Sequence, residues 1–262
     1  MISGLSLRLI NLNRHSMKIP ITLLFAGLML AGTNQAQTPP TSQEIRIPLL
    51  GEHAPTFTGQ STMGTINFPK DYYQKWKILF SHPGDFTPVC STEILELAAL
   101  QKEFEKLGTK LVVMSTDGIN SHMQWVQSLE TVKYNGAGPY KIEFPIVADP
   151  TLEISKKYGM INPEMVSTKD VRGVFIIDPQ DRIQAIFFYS SMTGRNIDEI
   201  KRTLIALQTT ADHDVLTPAN WEPGKPVLLH APASAKDAEK LAGKNDPDLY
   251  SLTWYLWFKR TP

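Results

Sequence analysis

Residues 82–93 read HPGDFTPVCSTE, and this stretch decides how the chain is interpreted. The apolar run Trp76–Phe80 precedes it and the amphipathic pattern Glu93–Leu107 follows it, which predicts a strand, a proline-rich turn and a helix. Pro88 suits the first helical position, because proline needs no amide partner there and its φ is already set. Cys90 is therefore expected in the first turn of the helix.

Cys90 is the only cysteine in 262 residues, and its predicted position favours a reactive thiolate. A helix N-terminus offers unpaired backbone N–H groups and the positive end of the helix dipole, and both stabilise a negative sulfur. Thr87 is expected as the N-cap residue, with its hydroxyl near the sulfur. The alternative interpretation is that Cys90 is a small buried apolar side chain.

Beyond this stretch, strand and helix patterns alternate until about residue 211. This order predicts an α/β fold of the thioredoxin type, with a mixed central sheet flanked by helices and a small C-terminal extension. The turn signal Asp178–Asp181 separates the last two predicted strands and indicates a hairpin. The predicted strands are 77–81, 110–115, 144–147, 173–177 and 183–189, and the predicted helices are 93–107, 119–132, 152–158 and 196–207.

The N-terminal residues 1–36 have the pattern of a signal peptide. Lys18 precedes the apolar run Ile19–Gly32, whose length fits a signal-peptide core, and cleavage is expected after Ala36. Met17 is an alternative start of the chain. We expect a periplasmic or secreted protein with no membrane span after signal removal, followed by a linker at 37–44; an uncleaved anchor is the alternative.

Composition excludes several classes of function. The 26 basic residues equal the 26 acidic ones, so the net charge is zero and argues against a nucleic-acid surface. One cysteine cannot form an internal disulfide, and clustered-cysteine metal sites are excluded. Six scattered histidines lack metal-ligand spacing, so we expect neither a metal nor another cofactor.

The sequence predicts a main domain, 45–211, and a C-terminal extension, 212–262. Aromatic residues crowd the end of the extension, between 250 and 258. Such side chains pack either on the chain's own core or against another subunit. The sequence leaves both alternatives open.

The spacing of Pro83, Thr87 and Cys90 resembles the active-site motif of the peroxiredoxins. Arg172, at the start of a strand, stands where that family places its catalytic arginine, and the run Thr193–Ile200 resembles a second family signature. The match covers roughly residue 47 to the C-terminus. The single cysteine, the run 80–83 and the long tail around 217–221 are most similar to the one-cysteine, peroxiredoxin-6-like branch.

This resemblance implies a thiol-dependent peroxidase in which Cys90 attacks a hydroperoxide and becomes a sulfenic acid. Arg172 and Thr87 would activate the thiolate and stabilise the leaving oxygen, and Pro83 would shield the sulfenic acid. Hydrogen peroxide and organic hydroperoxides are the expected substrates. With no second cysteine, the reductant would be an external thiol, either a small molecule or a thioredoxin-like protein.

Three further residues have open roles. Arg195 would orient the pocket by pairing with Glu93, or would only make contacts at the start of the last helix. Glu93 would be that partner, or only a favourable acid in a first helical turn. His82 is associated with the cysteine in the one-cysteine branch, although a histidine at a strand end is often only a packed neighbour.

The chain departs from the family at a few positions. Ser190 stands where proline is usual, and Trp257 stands where related tails usually carry arginine. The segment 73–77 has neither serine nor glycine, so phospholipase activity based on a serine elbow is not expected. The resemblance also implies a homodimer or a larger assembly, and the alternative function from another class is a periplasmic holdase.

Overall fold

The centre of the fold is a mixed β-sheet with helices packed against it. The structure is a computed structural model and describes residues 45–162, 164 and 167–260. The proposed signal peptide, 1–36, and linker, 37–44, lie outside these residues. The strands are β1 (Phe57–Ser61), β2 (Gly64–Phe68), β3 (Trp76–Ser81), β4 (Thr109–Ser115), β5 (Ile146–Ala148), β6 (Arg172–Ile177), β7 (Ile183–Tyr189), β8 (Val227–Leu228), β9 (Leu249–Thr253) and β10 (Leu256–Lys259). The helices are α1 (Pro88–Lys106), α2 (Ile119–Leu129), α3 (Glu153–Lys157), α4 (Ile197–His213) and α5 (Ala235–Ala242), with a 3₁₀ turn at Lys70–Tyr72.

Among the described residues, the main sheet has seven strands in the order β2-β1-β5-β4-β3-β6-β7. Strands β3, β4 and β5 run parallel, whereas β6 pairs antiparallel with β3 and β7 antiparallel with β6. This confirms the predicted α/β fold with a mixed sheet. Phe80 of β3 pairs with Val174 of β6, so the start of β6 lies beside the end of β3. The sheet thereby brings Arg172 next to the loop that leads to Cys90.

Both faces of the sheet are buried, because alternate residues of its central strands enter two separate cores. Ile78 and Phe80 pack with α1, α2 and α4 on one face. Leu79, between them, packs with the β1–β2 hairpin and α3 on the other. Central strands that are covered on both sides carry nearly continuous apolar runs, which is why the sequence predicted them correctly.

Several elements differ from the predicted ones. Helix α1 begins at Pro88, as the proline signal predicted, although the apolar periodicity starts only at Glu93 because the first turn carries the active-site residues rather than an apolar face. Helix α4 continues to His213, past the predicted boundary at residue 211. The β1–β2 hairpin and the short strands of the tail were not predicted.

The C-terminal extension forms a second, three-stranded sheet in the described chain, with the order β8-β10-β9. The described residues, from 45 onward, belong to one compact unit. Trp257 is buried and donates from its indole N–H to the carbonyl of Trp254 at 3.0 Å. Leu252, Trp254 and Tyr255, in contrast, are 70%, 62% and 50% exposed. The tail aromatics thus divide between the protein's own core and its surface.

Within the described part of the chain, no helix combines the length and apolar character that crossing a membrane requires.

Lys77 on β3 allows a test of how the sheet is stabilised. Its side chain is fully buried, and its ammonium pairs with the carboxylate of Asp181 in the β6–β7 turn. We expect Asp181→Asn to lower the free energy of unfolding by about 3 kcal/mol, because it leaves a buried ammonium without its counter-charge. Lys77→Met keeps the apolar stem and removes that charge, so it should cost about 1 kcal/mol or less. Urea unfolding of both variants checks this, and a larger loss in Lys77→Met would contradict it.

Candidate active site

The loop between β3 and α1 brings Cys90 into a fully buried position. Phe86 adopts a left-handed conformation, with φ of 54°, and Thr87 returns to an extended one before Pro88 opens the helix. Cys90 therefore lies in the first turn of α1, and its exposed fraction is 0%. Pro83 is partly buried in the same loop.

Thr87 is the N-cap residue of α1, but it does not cap the helix through its side chain. Its hydroxyl donates to the carbonyl oxygen of Gly84 at 2.9 Å, because the loop turns back on itself around Phe86. Its own carbonyl accepts from the Ser91 hydroxyl at 2.8 Å. The N-cap position predicted for Thr87 is thus confirmed, and its hydroxyl closes the loop that precedes Cys90 rather than capping the helix.

Arg172 is the side chain that contacts the sulfur. Its Nη1 lies 3.2 Å from Sγ of Cys90 and donates to Oε2 of Glu93 at 2.8 Å. Its Nε and Nη2 both donate to the carbonyl of Ser191, at 3.1 and 2.8 Å. A permanently cationic donor at this distance can stabilise negative charge that develops on an atom bound to the sulfur.

Glu93 fixes two guanidinium groups at once. Arg195 donates to Oε1 from its backbone N and from Nε, at 2.8 and 3.0 Å, and to Oε2 from Nη2 at 2.7 Å. Burial opposes the ionisation of Glu93, but the charges and hydrogen bonds of Arg195, with the charge of Arg172, outweigh it and lower the Glu93 pKa. Glu93 is therefore an ionised carboxylate held between two arginines.

Arg195 also ties the two strands behind the site together. Its Nη1 donates to the carbonyls of Ser81 on β3 and Gly173 on β6, at 2.8 and 2.9 Å, and its guanidinium lies 5.2 Å from the ring centre of Phe80. The start of α4 has another cap, since the Asn196 side chain accepts from the N–H of Glu199. Of the two predicted alternatives for Arg195, the geometry fits the pairing with Glu93.

His82 belongs to a buried hydrogen-bond chain. Its Nε2 lies 3.1 Å from Oδ1 of Asp85, whose Oδ2 lies 2.8 Å from Nδ1 of His122 on α2. Nε2 of His122 faces the carbonyl of Val147 at 3.2 Å. Burial raises the Asp85 pKa, but hydrogen bonds from both histidines outweigh it and lower the pKa well below its usual range. Burial lowers the pKa of His82, against the opposing effect of Asp85.

Three residues at the site were missed by the sequence analysis: Asp85, His122 and Ser191. Asp85 lies inside the quoted motif, and His122 follows β4, whose end meets the end of β3 at the same sheet edge because the two strands are parallel. That rule could have brought His122 near the motif. Ser191 acts through its backbone carbonyl, which no residue type signals.

His82, Asp85 and Asp117 offer ligand atoms within 4.8 Å of one another, as a metal site would. The two oxygens of Asp117 are already engaged, since they accept from Lys169 Nζ at 2.9 Å, from the Asp85 backbone N at 2.9 Å and from the Ser115 hydroxyl at 3.0 Å. The ammonium of Lys169 thus supplies the positive charge that this carboxylate needs. We assign the cluster a role in holding the loop rather than in binding an ion.

The departures from the family pattern are accommodated locally. Ser190 shapes the loop before Arg195, because its carbonyl accepts from Thr193 N at 3.1 Å and its hydroxyl accepts from Met192 N at 3.3 Å. This loop presents the Ser191 carbonyl to Arg172. Trp257 occupies a buried position in the tail sheet.

Comparison with known proteins agrees with this geometry. The AhpC/TSA family model matches residues 50–186, and the model for the C-terminal domain of 1-Cys peroxiredoxin matches residues 206–245. A peroxiredoxin of Methanosarcina mazei is 44% identical over 215 residues, which cover 82% of this chain and 98% of that protein. A peroxiredoxin of Aquifex aeolicus is 40% identical, with 82% and 98% covered.

Solved structures give the same result. Yeast mitochondrial 1-Cys peroxiredoxin superposes with a TM-score of 0.70 at 36% identity, covering 81% of this chain and 99% of that one. Peroxiredoxin 6 of Arenicola marina superposes with a TM-score of 0.71 at 34% identity, covering 82% and 99%. The chain is thus similar to these proteins over most of its length, and it places an arginine against its single thiol at the start of a helix. The chain belongs to the peroxiredoxin family and is a thiol-dependent peroxidase.

Proposed function

We propose that the protein reduces hydrogen peroxide and organic hydroperoxides at Cys90 in antioxidant defence. The observation that carries this proposal is the 3.2 Å contact between Arg172 Nη1 and Cys90 Sγ, in a helix first turn. The thiolate attacks one peroxide oxygen, the O–O bond breaks, and the other oxygen leaves with the electron pair and takes a proton as water or an alcohol. Cys90 becomes a sulfenic acid. Arg172 stabilises the thiolate before attack and the negative oxygen during it.

An external thiol is proposed as the reductant, because the chain has no second cysteine. One thiol attacks the sulfenic sulfur and releases water, and a second thiol attacks the mixed disulfide, which restores Cys90 and forms the external disulfide. In yeast mitochondrial 1-Cys peroxiredoxin the thiol is resolved via glutathione/thioredoxin systems. Both a small thiol and a thioredoxin-like protein therefore merit testing here.

Stopped-flow oxidation of the reduced protein, followed by mass spectrometry of Cys90, tests the first half of this cycle. We expect oxidation orders of magnitude faster than that of a free thiol, with one added oxygen on Cys90. Single-turnover reduction by glutathione or by a reduced thioredoxin then tests the second half. A rate of peroxide oxidation equal to that of a free thiol would contradict the proposal.

Glu93→Gln should weaken both stability and catalysis. The variant keeps the shape of the side chain but removes the charge that faces two buried guanidinium groups. We expect a loss of about 3 kcal/mol in the free energy of unfolding. We expect the second-order rate constant of Cys90 oxidation to fall about tenfold or more, because Arg172 loses its fixed position. Glu105→Gln, on the exposed part of the same helix, is the matched control and should leave the rate unchanged.

We further propose a homodimer or larger assembly, supported by the exposed tip formed by Leu252, Trp254 and Tyr255. Aromatic and apolar side chains of this kind are enriched in interface cores. Sedimentation of the wild type and of Trp254→Ser tests this, and a wild-type monomer at micromolar concentration would contradict it.

The same exposed tip favours the second candidate function, a holdase. That function predicts prevention of client aggregation that persists in Cys90→Ser.

Export to a periplasm or to the outside remains a proposal that rests on the sequence of residues 1–36. Its support is the basic flank and the apolar run Ile19–Gly32, which is too short for an ordinary span. Fractionation of cells that express the full chain, with sequencing of the mature N-terminus, tests both the compartment and the cleavage site. Recovery of an uncleaved, membrane-bound chain would support the anchor alternative.

A further inference from the structure

Asp170 is a buried carboxyl group to which the mechanism above assigns no role. It lies two residues before Arg172 and is 2% exposed. Within the described part of the chain, neither of its side-chain oxygens accepts a hydrogen bond. A buried ionised carboxylate that accepts no hydrogen bond from the protein is strongly unfavourable, so this group is better accommodated with its proton.

The groups that face Asp170 make its ionisation harder. Asp149 at the end of β5 and Asp117 after β4 contribute negative charge, while Lys169 and the Ser155 hydroxyl on α3 oppose them. Ser155 helps little, because its N–H and its hydroxyl both donate to Oδ2 of Asp149 at 2.7 Å. Burial is the largest cause, and together these effects raise the pKa of Asp170 to about 8.

The side chain of Ser81, together with Arg195, docks the segment that Asp170 begins onto the end of β3. The Ser81 hydroxyl donates to the carbonyl of Val171 at 2.6 Å and accepts from the N–H of Gly173 at 2.9 Å. The N–H of Val171 donates to the carbonyl of Met160 at 2.9 Å. Arg172, between these two residues, points to Cys90. Any change that loosens this segment therefore moves the guanidinium that faces the sulfur.

We propose that Asp170 is a proton-operated latch on the segment that carries Arg172. With its proton, the buried carboxyl lets the segment stay docked on Ser81; without it, the uncompensated charge favours release of the segment into water. The site is then held less firmly as pH rises. The inference deepens the proposed peroxidase function and depends on it only for the rate measurement described below.

The direction of the effect follows from linkage. In a released segment the carboxyl regains an ordinary pKa of about 4, whereas in the docked segment it is about 8. The docked form binds more protons between these values, so docking weakens by up to about tenfold per pH unit across the window. Above about pH 8 the effect levels off, because both forms are then ionised.

Asp170→Asn tests the latch, since the amide has the same shape and does not titrate. Hydrogen exchange of the Val171 and Gly173 amides is measured in the wild type and in the variant at the same pH values, from 5.5 to 8.5. We expect the ratio of wild-type to variant exchange rates to rise by up to about tenfold per pH unit and then to level off. Asp212→Asn, at an exposed position, should give a ratio that does not change with pH. A constant ratio for Asp170→Asn would overturn the proposal.

Two further measurements keep the test independent of that variant and of catalysis. In wild-type protein labelled with ¹³C-aspartate, one carboxyl signal should remain protonated at pH 6 and titrate near 8; its absence would overturn the proposal. The ratio of the Asp170→Asn to the wild-type rate constant for Cys90 oxidation should also rise with pH. If neither protein reacted faster than a free thiol, the peroxidase function would fail, while the exchange and titration results would still decide the latch.

Discussion

Cys90→Ser is expected to abolish peroxide turnover while leaving the fold intact. Serine is nearly isosteric with cysteine and fits the buried first turn of α1, but its hydroxyl stays protonated where a thiol yields a nucleophile. We expect the rate constant to fall by at least about 10⁴-fold, the scale on which loss of a nucleophile acts in other enzymes. Stopped-flow measurement of peroxide consumption, with unfolding curves of both proteins, gives the comparison.

The matched control for this substitution is Ser91→Ala, one residue further along the same helical turn. It removes a hydroxyl that donates to the Thr87 carbonyl and lies 3.3 Å from the Trp125 indole N–H. This change should reduce stability modestly, by about 1 kcal/mol, and should leave rapid oxidation in place. Full peroxidase activity in Cys90→Ser would remove Cys90 from the mechanism altogether.

Arg172→Ala should produce the second-largest loss of activity, with Cys90 still present. The substitution removes the donor to the sulfur and the positive charge that faces the departing oxygen. Loss of one such donor typically costs about 10²–10³-fold in rate. We expect a decrease of this size in the second-order rate constant for hydrogen peroxide, measured by stopped flow under single-turnover conditions.

Arg172→Lys separates charge from geometry. Lysine keeps the positive charge but cannot donate at once to Cys90, Glu93 and the Ser191 carbonyl as the planar guanidinium does. An intermediate loss is therefore expected. Arg46→Ala, which removes a 63% exposed side chain paired with Glu52, is the control and should leave the rate unchanged. An Arg172→Ala variant that reacted as fast as the wild type would show that the guanidinium contact has no catalytic role.

The sequence predicted the centre of the molecule because its information there is local. Strands β3, β4 and β6 are buried on both faces over most of their length and so carry nearly continuous apolar runs. Pro88 and the residues around it indicate a helix start by themselves, and Cys90 follows from that start. These features need no knowledge of the rest of the fold.

Other features depend on partners distant in sequence, and for that reason they were missed. Strand β1 contains Gly59, over which Val147 packs so closely that a Cβ there would lie 2.7 Å from its side chain. Strand β1 forms because it pairs with β2 and β5 in the sheet, not because its residues have a high strand propensity. The roles of the Ser191 carbonyl and of Asp170 also depend on distant parts of the chain. A polar residue next to a strand is usually exposed, so the sequence did not indicate that Asp170 is buried.

The carboxylate of Glu93, shared by two guanidinium groups, has a consequence for how variants combine. Once either arginine or the acid is replaced, the two remaining side chains are no longer held in position by the shared hydrogen bonds. A second substitution in the trio therefore causes little further loss of stability or rate. Double-mutant cycles among Arg172, Glu93 and Arg195 should therefore deviate strongly from additivity. In evolution, the three residues should therefore change only together. A replacement of one of them alone would lower stability and activity before a different set of side chains could take over.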